Sequence, residues 1–128
     1  MAVVIRAAHY PGRAPIETYG NGGFRFAGMS HRGSLLCLPS GIYGWQDAPA
    51  PEALDVASLE RVFAEANDIE VLLVGTGVNL RPLPPAVRER CRELRIMADP
   101  MATGAAVRTF NVLLAEDRRV AAALIAVP

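Results

Sequence analysis

The sequence has no lysine: all thirteen basic residues are arginine, and thirteen acidic residues balance them to a formal net charge of zero. Without a lysine no phosphate-binding loop of the G-x-x-x-x-G-K-[ST] kind can form. A balanced charge also removes the long-range field that draws proteins to nucleic acid or to an anionic membrane. The arginine bias reads as the mark of a high-GC genome, because arginines serving one binding surface would cluster more. Cysteine is equally scarce. Cys37 and Cys91 lie far apart, share no metal-ligand or redox spacing and sit in apolar surroundings, which reads as two buried free thiols in a reducing compartment. His9 and His31 are the only histidines, too few for a zinc site without further ligands at usable spacing. No apolar run approaches the roughly 20 residues that cross a bilayer. The segment Met1-Ala-Val-Val-Ile-Arg6 has neither the apolar stretch of a secretion signal nor an Arg/Ser-rich transit character. The expectation is a cytoplasmic protein that does not insert into membranes, binds no nucleic acid and holds no metal or cofactor.

What is present suits one folded unit. The chain has 128 residues, 52% of them hydrophobic, enough for a single domain over 1–128 with its own core. Residues 1–15 carry Pro11-Gly12 and read as an extended lead-in. Ile16–Tyr19 and Phe24–Ala27 flank Gly20-Asn21-Gly22-Gly23, where glycines supply the positive φ of a hairpin loop. Ser34–Leu38 and Ile42–Trp45 flank the turn Pro39-Ser40-Gly41, so the first third is expected to be β-hairpins. A Pro/Ala connector, 47–52, follows.

From Asp55 the period changes. Leu59, Val62, Phe63 and Ala66 recur at helical spacing and predict a helix from Asp55, its N-cap, to about Asn67, with Leu54 and Leu59 as a hydrophobic staple. Glu70–Val74 is continuously apolar and predicts a strand buried on both faces. Prolines 82, 84 and 85 delay the next helix to about Ala86, with Val87, Cys91 and Leu94 inward. Arg95–Ala98 is expected as a strand, and Thr103–Glu116 as a helix burying Ala106, Phe110, Leu113 and Leu114. For Val120–Val127 the alanines alone permit a helix. A strand is preferred, because the Arg118-Arg119 turn is short and the β-branched residues lie at the ends. This alternation predicts a layered α/β domain with a largely parallel central sheet.

Two places invite a ligand. Gly75-Thr76-Gly77 follows a buried strand, where open α/β sheets bind ligands, but Arg81-Pro82-Leu83 follows in place of a dinucleotide fingerprint, and a plain turn is the favoured reading. At the start of the last helix, Thr103 is expected to cap, leaving backbone N–H groups and a positive dipole end there. Gly104, Arg108 and Asn111 share one face by their i, i+4, i+7 spacing. With the Gly75 loop they outline a small anion or metabolite site: Gly75, Thr76, Gly77, Thr103, Gly104, Arg108 and Asn111. Against it stands the reading that Arg108 and Asn111 tie down neighbouring loops. No catalytic set emerges. Ser30-His31 and Ser34 lack an orienting acid, G-x-S-x-G is absent, and Asp99 before Pro100 reads as shaping a turn. Tyr43 and Trp45 read as core.

Several segments together resemble one family. Tyr19-Gly-Asn-Gly-Gly-Phe-Arg-Phe26, Ser34–Leu38, Pro39-Ser-Gly41 with Trp45, Gly75-Thr-Gly77, Arg108-Thr-Phe-Asn-Val-Leu-Leu114 and Val120-Ala-Ala-Ala-Leu-Ile125 are similar, in order and spacing, to the Mth-like domain-of-unknown-function family. The match covers nearly all of the chain from Ile16. The resemblance implies a three-layer α/β fold with a central mixed sheet whose last strand is antiparallel. It implies bacterial members without an established activity, and mitochondrial relatives that act in the assembly of complex I (NADH dehydrogenase). The family's segment M-D-T-x-A-A-C-R-T-Y-N is altered here: Ala102 stands for the acid, Val107 for the cysteine and Phe110 for the tyrosine. Those departures undercut any catalysis built on that acid or thiol. A non-catalytic binding or assembly factor of a bacterium, working with respiratory-complex or other inner-membrane subunits, is therefore the first expectation. The small-ligand site is the second, and a structural homo-oligomer joined through the apolar last strand is the third.

Overall fold

The computed structural model describes residues 10–128; His9 and most of the lead-in fall outside them. Two sheets form. Strands β1 (Ile16–Gly20), β2 (Gly23–Phe26) and β3 (Met29–Arg32) make an antiparallel meander in the order β1-β2-β3. Strands β4 (Leu35–Leu38), β5 (Gly41–Gly44), β6 (Val71–Gly75), β7 (Met97–Met101) and β8 (Val120–Leu124) make the central sheet, in the order β5-β4-β8-β6-β7. The helices are α1 (Glu60–Phe63), α2 (Pro85–Glu93) and α3 (Thr103–Ala115).

The central sheet is evenly mixed. β8 runs antiparallel to β4 and parallel to β6; β4–β5 is antiparallel and β6–β7 parallel. Half the pairings are thus parallel, where a mostly parallel sheet was expected. The final strand takes one sense on each side.

Both faces of this sheet are covered, and the side chains alternate between them as the pleat requires. Leu36, Leu38, Leu72, Val74, Ala121 and Ala123 point to one side, where they meet Val62 of α1 and Val87 and Cys91 of α2. Leu35, Cys37, Val71, Leu73, Ala122 and Leu124 point to the other, against Ala106, Val107 and Phe110 of α3 and Phe24 and Phe26 of the meander. The alanine-rich run is a strand because it lies between two strands with both faces buried; small side chains there let a helix approach closely.

Three expectations shift. The helix foreseen over 55–67 is broken into a 3-10 turn (Ala57–Leu59), α1, and a second 3-10 turn (Ala66–Asp68). Leu59 (φ −107, ψ 14) and Glu65 (φ −109, ψ 20) leave helical geometry at the two joints. Asp55 and Ser58 still cap one another at the entry, with Ser58 N donating to Asp55 Oδ1 at 2.9 Å. Glu65 is fixed elsewhere: its carboxylate accepts from the backbone and the hydroxyl of Ser40, at 2.9 and 2.6 Å.

The strand expected over 95–98 starts two residues later, because Arg95 adopts φ 59 in the left-handed region. It closes α2 with two bonds, Arg95 N to Arg92 O at 3.0 Å and Ile96 N to Cys91 O at 2.8 Å, the pattern of a Schellman motif. Asp99 and Pro100 consequently lie within β7 and not in a turn. As an edge strand, β7 tolerates the missing N–H of proline. Finally, β3 was not foreseen; its sequence, Met-Ser-His-Arg, has no apolar alternation.

Candidate functional site

The predicted site residues converge at the N-terminus of α3, but most of them are engaged in internal bonds. Thr103 is not the cap. Ala102 occupies that position without a side-chain bond, and Thr103 is the first helical residue. Its hydroxyl is fully buried, accepting from Gly77 N at 3.0 Å and donating to Ile125 O at 2.7 Å, while Thr103 N donates to Gly77 O at 2.8 Å. One threonine therefore pins α3, the loop after β6 and the end of β8 together. Gly75 is needed for this approach, since a Cβ there would lie 3.0 Å from Thr103 Oγ1 and 3.1 Å from Leu124. Thr76, also buried, donates to Asn79 O at 2.7 Å and accepts from Arg81 N at 3.0 Å. The loop is rigid by its own bonding.

The second group faces the meander. A register shift between Ile16 and Thr18 in β1 places Ile16 and Tyr19 on the same side, opposite Phe26 and Phe24, as a β-bulge does. That side is the one presented to α3. Asn111 uses its whole amide on β1: Oδ1 accepts from Ile16 N and Nδ2 donates to Ile16 O, both at 2.8 Å. Tyr19 lies over Gly104, where any Cβ would come within 2.3 Å of the phenol oxygen, and Arg108 Nη1 donates to that oxygen at 3.4 Å. Gly104, Arg108 and Asn111 do share a face, as their spacing implied. In this structure that face docks the meander.

Other polar residues are similarly occupied. His31 Nε2 lies 3.1 Å from Ser34 O, and Ser34 Oγ accepts from Ala126 N at 2.9 Å. The Trp45 indole is buried and donates to Ser58 O at 3.1 Å, while Arg61 stacks on Tyr43 at 4.2 Å. Cys37 and Cys91 are free and buried, and burial pushes both thiols above their ordinary range. The hydrogen bond from Arg118, and then its charge, hold the half-buried Glu70 carboxyl below the usual value. Among the described residues no group of three His, Cys, Asp or Glu could hold a metal ion, and no helix is long and apolar enough to cross a membrane.

A groove of about 470 Å³ lies elsewhere, over the meander, where Arg25, Ser30 and Arg32 line it together with Thr18, Gly20 and Gly23. Sequence reading passed over these residues because β3 itself was not foreseen. The alternation of Arg25 between two phenylalanines was the available signal.

Comparison with known proteins agrees with the fold. Residues 16–125 match the family model described as "Protein of unknown function (DUF498/DUF598)". The chain belongs to this family. It is 39% identical over 123 residues to an uncharacterized protein of Rhodobacter capsulatus, covering 96% of this chain and 93% of that one. It is 33% identical over 110 residues to the NADH dehydrogenase [ubiquinone] 1 alpha subcomplex assembly factor 3 of Xenopus tropicalis, covering 86% of this chain and 60% of that protein. The family member thus spans about three fifths of that assembly factor. Among solved structures, an outer membrane protein from Bartonella henselae is 62% identical with a TM-score of 0.89, covering 94% of this chain and all of that one. A Mth938-like domain from Bordetella pertussis shares the fold at 24% identity and a TM-score of 0.75, over 98% of this chain and 92% of that one.

Proposed function

We propose that this protein is a non-catalytic binding factor that assists assembly of respiratory-complex or other inner-membrane subunits in a bacterium. The observation that carries the reading is the 33% identity with an NADH dehydrogenase assembly factor, spread over 86% of this chain. The polar groups at the α3 N-terminus support it. Thr103, Asn111 and Thr76 spend their donors and acceptors on the fold, which favours a rigid scaffold over a site that turns over substrate. The surface also offers apolar side chains to a partner: Tyr19 and Met29 on the meander, and Val78 and Leu80 on the loop after β6, are all exposed.

The test is a tagged pull-down from crosslinked membrane and soluble fractions of the native organism, identified by mass spectrometry. Reproducible enrichment of complex I subunits, absent from unrelated tagged controls, is the expected outcome. Recovery of the bait alone would sink the stable-complex form of the reading.

A further inference from the structure

We infer that the outer face of the β1-β2-β3 meander is a docking surface for an extended acidic segment of a protein partner, one with carboxylates on alternate residues. Register fixes which side chains share this face. Thr18 pairs with Arg25, Arg25 with Ser30, Gly23 with Gly20, and Gly23 with Arg32. Directly paired residues, and residues two apart on a strand, lie on one side of a sheet. Thr18, Gly20, Gly23, Arg25, Ser30 and Arg32 are therefore one surface, while Phe24 and Phe26 turn inward to the core.

The two glycines form the floor. A Cβ at Gly23 would meet His31 O at 2.1 Å, so the depression cannot be filled by a side chain without parting β2 from β3. Around the floor stand the guanidinium groups of Arg25 and Arg32 and the hydroxyls of Thr18 and Ser30, and Tyr19, Asn21, Phe24 and His31 complete the lining of the groove of about 470 Å³. Among the described residues that line it, none is acidic. In a chain whose charges cancel overall, this is a locally cationic cup. The Arg32 backbone pairs with Gly23, while its guanidinium has no hydrogen bond or ion pair among the described residues. Arg25 donates to Ser30 Oγ at 2.9 Å and pairs loosely with Glu17 at 3.8 Å, both ends exposed. An exposed pair of that kind contributes little and yields readily to an incoming carboxylate.

Spacing selects the ligand. Arg25 and Arg32 are diagonal neighbours across β2 and β3, about 7 Å apart in such a sheet. Carboxylates on alternate residues of an extended chain recur about every 7 Å. An acidic-x-acidic segment laid across the cup brings one carboxylate to each fork, with the Thr18 and Ser30 hydroxyls as further donors. The inference depends on the proposed function only in taking the partner to be a protein.

The experiment uses the whole chain and a fluorescein-labelled peptide of alternating glutamate and serine, followed by fluorescence anisotropy, with the glutamine counterpart as the neutral control. Saturable binding that weakens with salt is expected. Arg32→Glu and Arg25→Glu should each weaken it at least about tenfold, whereas Arg88→Glu, on exposed α2, should leave it within about twofold. The Arg32 guanidinium holds no other group of the fold, so Arg32→Glu tests the surface, with an unchanged circular dichroism spectrum and Tm as the folding control. No binding up to about 1 mM, equal binding of the glutamine peptide, or equal weakening by Arg88→Glu would overturn the inference. Peptide binding with an empty pull-down would remove only the assembly reading. A positive pull-down with no peptide binding would remove only the groove.

Discussion

Thr103 shows how one residue type at a helix start supports opposite readings. Sequence spacing made it a cap with spare N–H groups beneath it. In the fold its hydroxyl is the joint between Gly77 N and Ile125 O. The difference lies in partners 26 and 22 residues away, which local pattern cannot specify. Thr103→Val keeps the shape but leaves a buried N–H and a buried carbonyl each short of a partner, at about 1 to 3 kcal/mol for each such group. We expect Thr103→Val to lower stability by about 3 kcal/mol in urea unfolding, and Thr103→Ser, which loses only a methyl, by about 1 kcal/mol. Equal losses for the two variants would show that packing, not the hydroxyl, matters. Asn111 teaches the same lesson. Its placement on the face of Gly104 and Arg108 was legible, but its use on Ile16 required knowing where β1 lies.

Elements were legible where burial was strong and uniform. β6 and β8 are apolar along their length, and the glycine loop between β1 and β2 announces its hairpin. Boundaries failed where backbone conformation, not side-chain pattern, sets them. Both α2 and α3 end in Schellman motifs without glycine: Arg95 and Asp117 adopt φ 59 and 57, and Arg118 N reaches back to Leu113 O at 3.0 Å. The usual glycine stop signal is missing, so the start of β7 was read two residues early. An L-residue pays roughly 1 to 2 kcal/mol in this region, aspartate less than most. Arg95→Gly should therefore raise stability by about 1 kcal/mol, with a smaller gain for Asp117→Gly, read as an increase in Tm. A fall in Tm for Arg95→Gly would mean that its exposed side chain contributes more than its backbone costs. The broken helix over 55–67 is a further boundary failure. The apolar period was correct for the buried face, as Leu59 and Val62 show, but Glu65 is drawn to Ser40 and the segment bends to follow.

At the scale of the molecule, the central sheet separates two apolar layers, and each contains one cysteine: Cys91 in the layer with α1 and α2, Cys37 in the layer with α3. Burial raises both thiols above their ordinary range, Cys37 more strongly, and the thiolate is the form that reacts. Neither should react with a thiol-specific reagent at neutral pH in the native state. Both should react fully in denaturant, and Cys91 should become available before Cys37 as the chain loosens. Rapid native labelling of Cys37 would contradict the buried position of β4. The alternation of helices and strands predicts a layered α/β fold, and helices do pack on both faces of the central sheet. The antiparallel hairpins are legible from their turns, but the even balance of parallel and antiparallel pairs in the central sheet is not, because it depends on connections that cross the sheet.

The position of β8 has a consequence for how the chain reaches this state. It is the last of the eight strands among the described residues, yet it sits between β4 and β6 at the middle of the sheet. Until it emerges during synthesis, the β4–β5 pair and the β6–β7 pair have no strand joining them, and each presents an unpaired edge rich in leucine and valine. Such edges recruit other strands. The alanine-rich segment is therefore the closing piece of the domain, and the interval before it arrives is when a nascent chain of this kind is most exposed to aggregation.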